Sequence, residues 1–272
     1  MADIQVNGAR IHYEVRGAGP QTLVFAHGLL WSGEMFAPQV DALCDRYRCV
    51  TFDFRGQGRS EVTRDGYDMD TLTADTLALI RALDLAPCHF AGLSMGGFVA
   101  MRLAIRHPEV LRSLILMATS ADPEPAENVP RYRLLNFVNR WIGPRAIARK
   151  VLPIMFGRTF LADPARARER TDMVDRISTN DRVGISRATR GVIEREGVYG
   201  ELGKIRLPTL IIVGDEDTAT RPEKARRMNA AIPGSSLVEI PGAGHTATLE
   251  QPEAVNRALG EFLQKAGGGE AQ

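Results

Sequence analysis

The stretch from Cys88 to His107 constrains the fold more than any other part of the chain. A short apolar run, Cys88–Ala91, leads straight into Gly92-Leu93-Ser94-Met95-Gly96-Gly97, and from Met95 to His107 apolar residues recur at helical spacing. A strand that turns directly into a helix needs a sharp elbow. The residue at its tip sits in a strained backbone conformation, so the neighbours two positions away must be nearly hydrogen-sized, as Gly92 and Gly96 are. Such an elbow exposes Ser94 Oγ and directs the free N–H groups of the helix start at any negative charge developing beside it.

The rest of the first 122 residues supplies the sheet this elbow requires. Ile11–Val15, Thr22–Ala26, Arg48–Asp53 and Leu111–Met117 read as strands, and Phe36–Leu43 and Met69–Leu83 as helices. The alternation resumes near the end, with strands at Thr209–Val213 and Ser236–Ile240, helices at Pro222–Ala231 and Pro252–Gln264, and a frayed tail from Gly267. This order predicts an α/β fold, a mostly parallel sheet with helices on both faces. Residues 1–122 and 205–272 are expected to form its core. Residues 123–204 lack β-rich runs, are punctuated by Pro130, Gly143-Pro144, Pro153 and Pro164, and are expected to form an inserted helical lid.

Charge narrows the function classes. The chain has 34 basic and 33 acidic residues, which argues against a nucleic-acid or anionic-membrane binder and for a small-molecule ligand. Within it, residues 131–195 hold 15 Lys/Arg against 6 Asp/Glu, a surplus of +9. The 14 arginines of that segment, from Arg131 to Arg195, are expected to be mostly solvated helix faces. A one-sign field over a pocket mouth would also draw an anionic substrate, with one arginine clamping its carboxylate. Cys44, Cys49 and Cys88 form no CxxC pair, arguing against a disulfide framework or a zinc site. The start, Met1-Ala2-Asp3-Ile4, has neither a basic nor an apolar leader region, and the expected location is cytoplasmic.

A serine hydroxyl is a poor nucleophile at neutral pH and needs a base. His12 and His89 lie within strands, and His107 ends a helix. His245 instead follows the last strand in Pro241-Gly242-Ala243-Gly244-His245, past the sheet edge where α/β sites gather. The base needs a carboxylate to hold its tautomer, and Asp217 follows the penultimate strand, with Asp122 as the rival. The order Ser94, Asp217, His245 is neither the chymotrypsin nor the subtilisin order. For a developing oxyanion, the turn His27-Gly28-Leu29 offers the N–H of Leu29, and Met95 supplies a second; His27 is expected to form the turn.

Through His27-Gly28, Asp53-Phe54-Arg55-Gly56-Gln57-Gly58-Arg59-Ser60, Gly92 to Gly96, Gly214 to Asp217 and Gly244-His245, the sequence resembles the α/β-hydrolase superfamily. Met35 to Val40 and the run Arg55 to Ser60 resemble its small bacterial esterase, lactonase and cofactor-free perhydrolase branch, which includes 3-oxoadipate enol-lactonase. The resemblance implies a Ser94, Asp217, His245 triad, oxyanion donors at Leu29 and Met95, and no metal or organic cofactor. It implies hydrolysis of small esters or lactones through an acyl-enzyme. Peracid formation by the same triad, or a ligand-sensing receptor on the same fold, are the alternatives. Trp31, Trp141, Met155, Phe156 and Phe160 are the apolar candidates for the acyl pocket.

Overall fold

A computed structural model describes residues 2–267. Eight strands, β1 (Ala2–Val6), β2 (Ala9–Arg16), β3 (Gln21–Ala26), β4 (Tyr47–Phe52), β5 (Cys88–Leu93), β6 (Leu111–Met117), β7 (Thr209–Gly214) and β8 (Ser236–Ile240), form one sheet in the order β1-β2-β4-β3-β5-β6-β7-β8. The hairpin β1–β2 is antiparallel and β2 pairs antiparallel with β4, while β4 and β3 to β8 run parallel. Strand β1 is the strand missing from the sequence reading. It turns into β2 through Asn7 and Gly8, both at positive φ (47° and 75°), the two-residue geometry that matches strand twist.

Alternate strand residues enter opposite cores, because successive side chains of a strand point to opposite faces. Val24 and Ala26 pack with helices α2 (Met69–Ala82) and α3 (Met95–Arg106), whereas Leu23 and Phe25 join the core on the other face. That second core is covered by α1 (Ala37–Leu43) and by α11 (Pro252–Gly267) through Val255, Leu259 and Leu263. The first core is covered by α2 (Met69–Ala82) and α3 (Met95–Arg106). Both faces of the sheet are therefore apolar, as a parallel sheet under helices requires.

Between β6 and β7 stand five helices, α4 (Val129–Ile142), α5 (Pro144–Met155), α6 (Arg158–Ala162), α7 (Ala167–Ser178) and α8 (Arg182–Ile193). After β7 follow α9 (Pro222–Ala231), α10 (Ala247–Glu250) and α11 (Pro252–Gly267). Gly267 thus closes a helix where a frayed tail was expected, and the rest of that tail lies outside the described residues. Since β3 to β8 are parallel, the segments after β3, β5, β7 and β8 leave the sheet at one edge. Among the described residues no helix is long and apolar enough to cross a membrane.

Candidate active site

Ser94 caps α3 with φ 53° and ψ −110°, a conformation that costs a non-glycine residue energy. Its surroundings hold it there. Ser94 N–H donates to Met117 O at 2.9 Å, and Thr119 Oγ1 donates to Ser94 O at 2.8 Å. A Cβ on Gly92 would lie 2.3 Å from Gly96 O, and one on Gly96 would lie 2.1 Å from Ala26 O. Both glycines are therefore required by backbone-to-backbone approach, which is how the sequence makes the elbow.

His245 lies on the loop between β8 and α10 and is buried. Its Nδ1 is 2.9 Å from Asp217 Oδ2. An ionised carboxylate can only accept, so Nδ1 carries the proton and Nε2 is the lone-pair nitrogen of the neutral ring. Asp217 is fixed by the turn after β7: Oδ1 accepts from the N–H groups of Ala219 and Thr220, and Oδ2 from Thr220 Oγ1. Burial pulls the His245 pKa down, but Asp217, through charge and hydrogen bond, with Glu250 and Glu124 behind it, more than offsets this and leaves it raised. Asp122, the rival acid, is engaged by Lys224 and Arg227 of α9 instead.

Ser94 and His245 line one cavity of about 100 Å³, with Leu29 and Thr220. Among the described residues the N–H groups of Leu29 and Met95 make no hydrogen bond, and Met95 heads α3, where a helix leaves its first donors free. The preceding turn is braced. His27 Nδ1–H donates to Gly28 O at 2.7 Å, its Nε2 accepts from Phe54 N–H, and Leu30, at φ 74°, donates its N–H to Gln57 Oε1 at 2.9 Å. Burial first of all lowers the pKa of His27, in keeping with a neutral turn-forming ring.

Of the apolar candidates, Met155 lines this cavity. The other four lie elsewhere. Trp141 is 65% exposed, because Leu135, Asn136 and Asn139 take the inward phase of α4. Phe156 and Phe160 stack on each other at 4.7 Å in the core, and Trp31 meets Phe156 edge-on beside a different cavity. Nor does an unpaired arginine line the cavity among the described residues. Of the 14 arginines only Arg195 reaches the cavity, where its side chain, 3% exposed, pairs with that of Glu124, 8% exposed, at 2.8 Å.

Two supporting groups have roles that no sequence pattern discloses. Gln57 braces Leu30 across 27 residues. Glu250, 2% exposed, accepts from Gly244, Thr246 and, just before α6, Gly157, and so ties the histidine loop to the inserted helices. Thr220 is different: an aspartate with a threonine three residues later is the pattern of a side-chain-closed turn.

Comparison with known proteins agrees with this architecture. Residues 21–252 match the family of the α/β-hydrolase fold. A Mycobacterium tuberculosis protein named for non-heme bromoperoxidase activity, BpoC, is 33% identical over 255 residues, 92% of this chain and 96% of its own. Two solved structures superpose with a TM-score of 0.90 at 29% identity: a thermophilic esterase from Thermogutta terrifontis, over 98% of this chain and 99% of that one, and the enol-lactonase from Burkholderia xenovorans LB400, over 97% and 100%. With 232 of its 272 residues inside the family match, the chain belongs to the α/β-hydrolase family.

Proposed function

We propose that the protein is a serine hydrolase of short, uncharged carboxylic esters or lactones. The observation that carries this reading is the Asp217–His245 hydrogen bond of 2.9 Å, which fixes an imidazole in the cavity that Ser94 lines at its strained elbow. Ser94 Oγ attacks the ester carbonyl while His245 Nε2 takes its proton. The N–H groups of Leu29 and Met95 receive the oxyanion, and the protonated ring returns the proton to the departing alcohol. Water then repeats the sequence on the acyl-serine, releasing the acid. The five inserted helices act as a lid that excludes bulk water.

The cavity supports the substrate size and charge of this reading. Its volume of about 100 Å³ lies well below the roughly 300 Å³ at which pockets for drug-sized ligands begin. Ile147, Val151 and Ile154 give it an apolar wall, and its one cation, Arg195, is already paired with Glu124. These features support a short neutral acyl group. A panel of aryl esters of graded acyl length, with one member bearing a terminal carboxylate, tests this. The expected result is a short neutral optimum, and a preference for the anion or for long chains would overturn it.

The likeness to BpoC favours a second use of the same site, in which hydrogen peroxide replaces water at the acyl-serine and the product is a peracid. Adding peroxide to the hydrolysis of one ester, and measuring peracid against acid, separates the two.

A further inference from the structure

The segment above the cavity carries a surface of unusual composition. Only six large apolar side chains are recorded as exposed among the described residues, and four of them, Leu134 (64%), Phe137 (62%), Trp141 (65%) and Ile142 (71%), lie on α4. Their spacing of i, i+3, i+7 and i+8 gathers them on one face, because a helix advances about 100° per residue. The opposite face of the same helix, with Tyr132, Leu135, Asn136 and Asn139, lines the cavity. Helix α4 is therefore apolar on the side where a helix covering a core is ordinarily polar.

The stretch of chain that carries this face has charge of one sign. Between Asn128 and Ala162 there is no Asp or Glu, while Arg131, Arg133, Arg140, Arg145, Arg149, Lys150 and Arg158 all fall within that span. Among the described residues none of these seven forms a salt bridge, and the Arg140 guanidinium lies over the Trp141 ring at 5.3 Å. The asymmetry is molecular in scale: residues 131–195 carry +9 and the remainder −8. The overall charge of +1 conceals it, which is why the composition argued against an anionic membrane.

We propose that the outer face of α4 docks on an anionic lipid surface, with Leu134, Phe137, Trp141 and Ile142 entering the headgroup layer and the neighbouring cations facing lipid phosphates. A basic helix with Trp, Phe and Leu on one face has the composition of segments that lie in the plane of an interface. A second copy of the chain is the poorer occupant, since docking through this face sets one +9 segment against another. The acidic remainder turns the molecule so that the inserted helices meet the membrane first. This docking does not depend on the hydrolytic reading, although it would place the cavity mouth beside lipid-dissolved esters.

The test is flotation of the full-length protein with vesicles of phosphatidylcholine alone or with about 30% phosphatidylglycerol, at about 20 mM and 500 mM salt. Trp141 is an internal reporter, since the other tryptophan, Trp31, is 4% exposed and already buried. The expected result is binding to the anionic vesicles, a blue shift of tryptophan emission on binding, and loss of both at high salt. Arg131→Gln with Arg133→Gln should weaken partitioning by about fivefold per charge removed. Phe137→Ser with Trp141→Ser should abolish it, and both pairs alter exposed residues, so wild-type melting confirms that they fold. Absence of binding at low salt, equal binding to neutral vesicles, or unchanged binding by both variants overturns the proposal. So does a concentration-dependent dimer that buries Trp141 without lipid.

Discussion

Replacing Glu124 by Gln tests the buried ion pair that makes the cavity neutral. Glu124 Oε2 accepts from Arg195 Nη1 at 2.8 Å and Oε1 accepts from Asn128 Nδ2 at 2.9 Å. Glutamine keeps one acceptor and loses the charge. Arg195 then retains the Val192 carbonyl at 2.8 Å and the Phe98 ring, 4.1 Å from its guanidinium carbon, but no counter-charge. Stranding one member of a buried pair costs about 3–5 kcal/mol, and the retained contacts place this case near about 3 kcal/mol. At about 2–4 °C per kcal/mol in a protein near this size, the melting temperature should fall by roughly 6–12 °C. Adding Arg195→Met should recover part of that loss, because the uncompensated charge leaves with it. In activity assays, Glu124→Gln alone should raise kcat/KM for an ester bearing a carboxylate relative to its neutral match. A cost below about 1 kcal/mol, as for an exposed pair, with unchanged substrate preference, would refute the reasoning.

Asp217→Asn should lower kcat by about 10⁴, because the amide favours the wrong histidine tautomer, while Asp122→Asn leaves kcat nearly unchanged. In the proposed mechanism the neutral imidazole is the working base, and its pKa is raised, so kcat/KM should fall as pH drops through a midpoint above the ordinary histidine value of 6.5. A pH–rate profile with its midpoint below 6.5 would contradict the pairing with Asp217. Gly96→Ala sets a methyl 2.1 Å from Ala26 O, and overpacking of this kind costs roughly 1–3 kcal/mol. Thermal melting and an ester assay should show both lower stability and loss of activity.

What the sequence disclosed divides along physical lines. Elements set by local pattern were legible: β6, β8 and α9 have the bounds their apolar periods predict, and the elbow at Ser94 follows from two glycines with no room for a side chain. The hairpin strand β1 was missed although Asn7-Gly8 announces its turn, because four of its five residues are not buried and leave no apolar period. The phase of α4 was not legible. Its sequence has two apolar faces, and only packing against α5 and α8 over the cavity decides that Leu135 faces inward and Trp141 outward. The groups that brace the site act across long separations, as Gln57 does on Leu30 and Glu250 on Gly157, and such pairings leave no periodic trace in one sequence.

The central claim is that Ser94 is the nucleophile, and covalent labelling tests it most directly. The protein should be treated with a fluorophosphonate, digested and mapped by mass spectrometry while ester hydrolysis is followed in parallel. A single adduct on Ser94, formed in step with loss of activity and absent from Ser94→Ala, is the expected result. An adduct on another residue, or full hydrolysis by Ser94→Ala, would contradict the account.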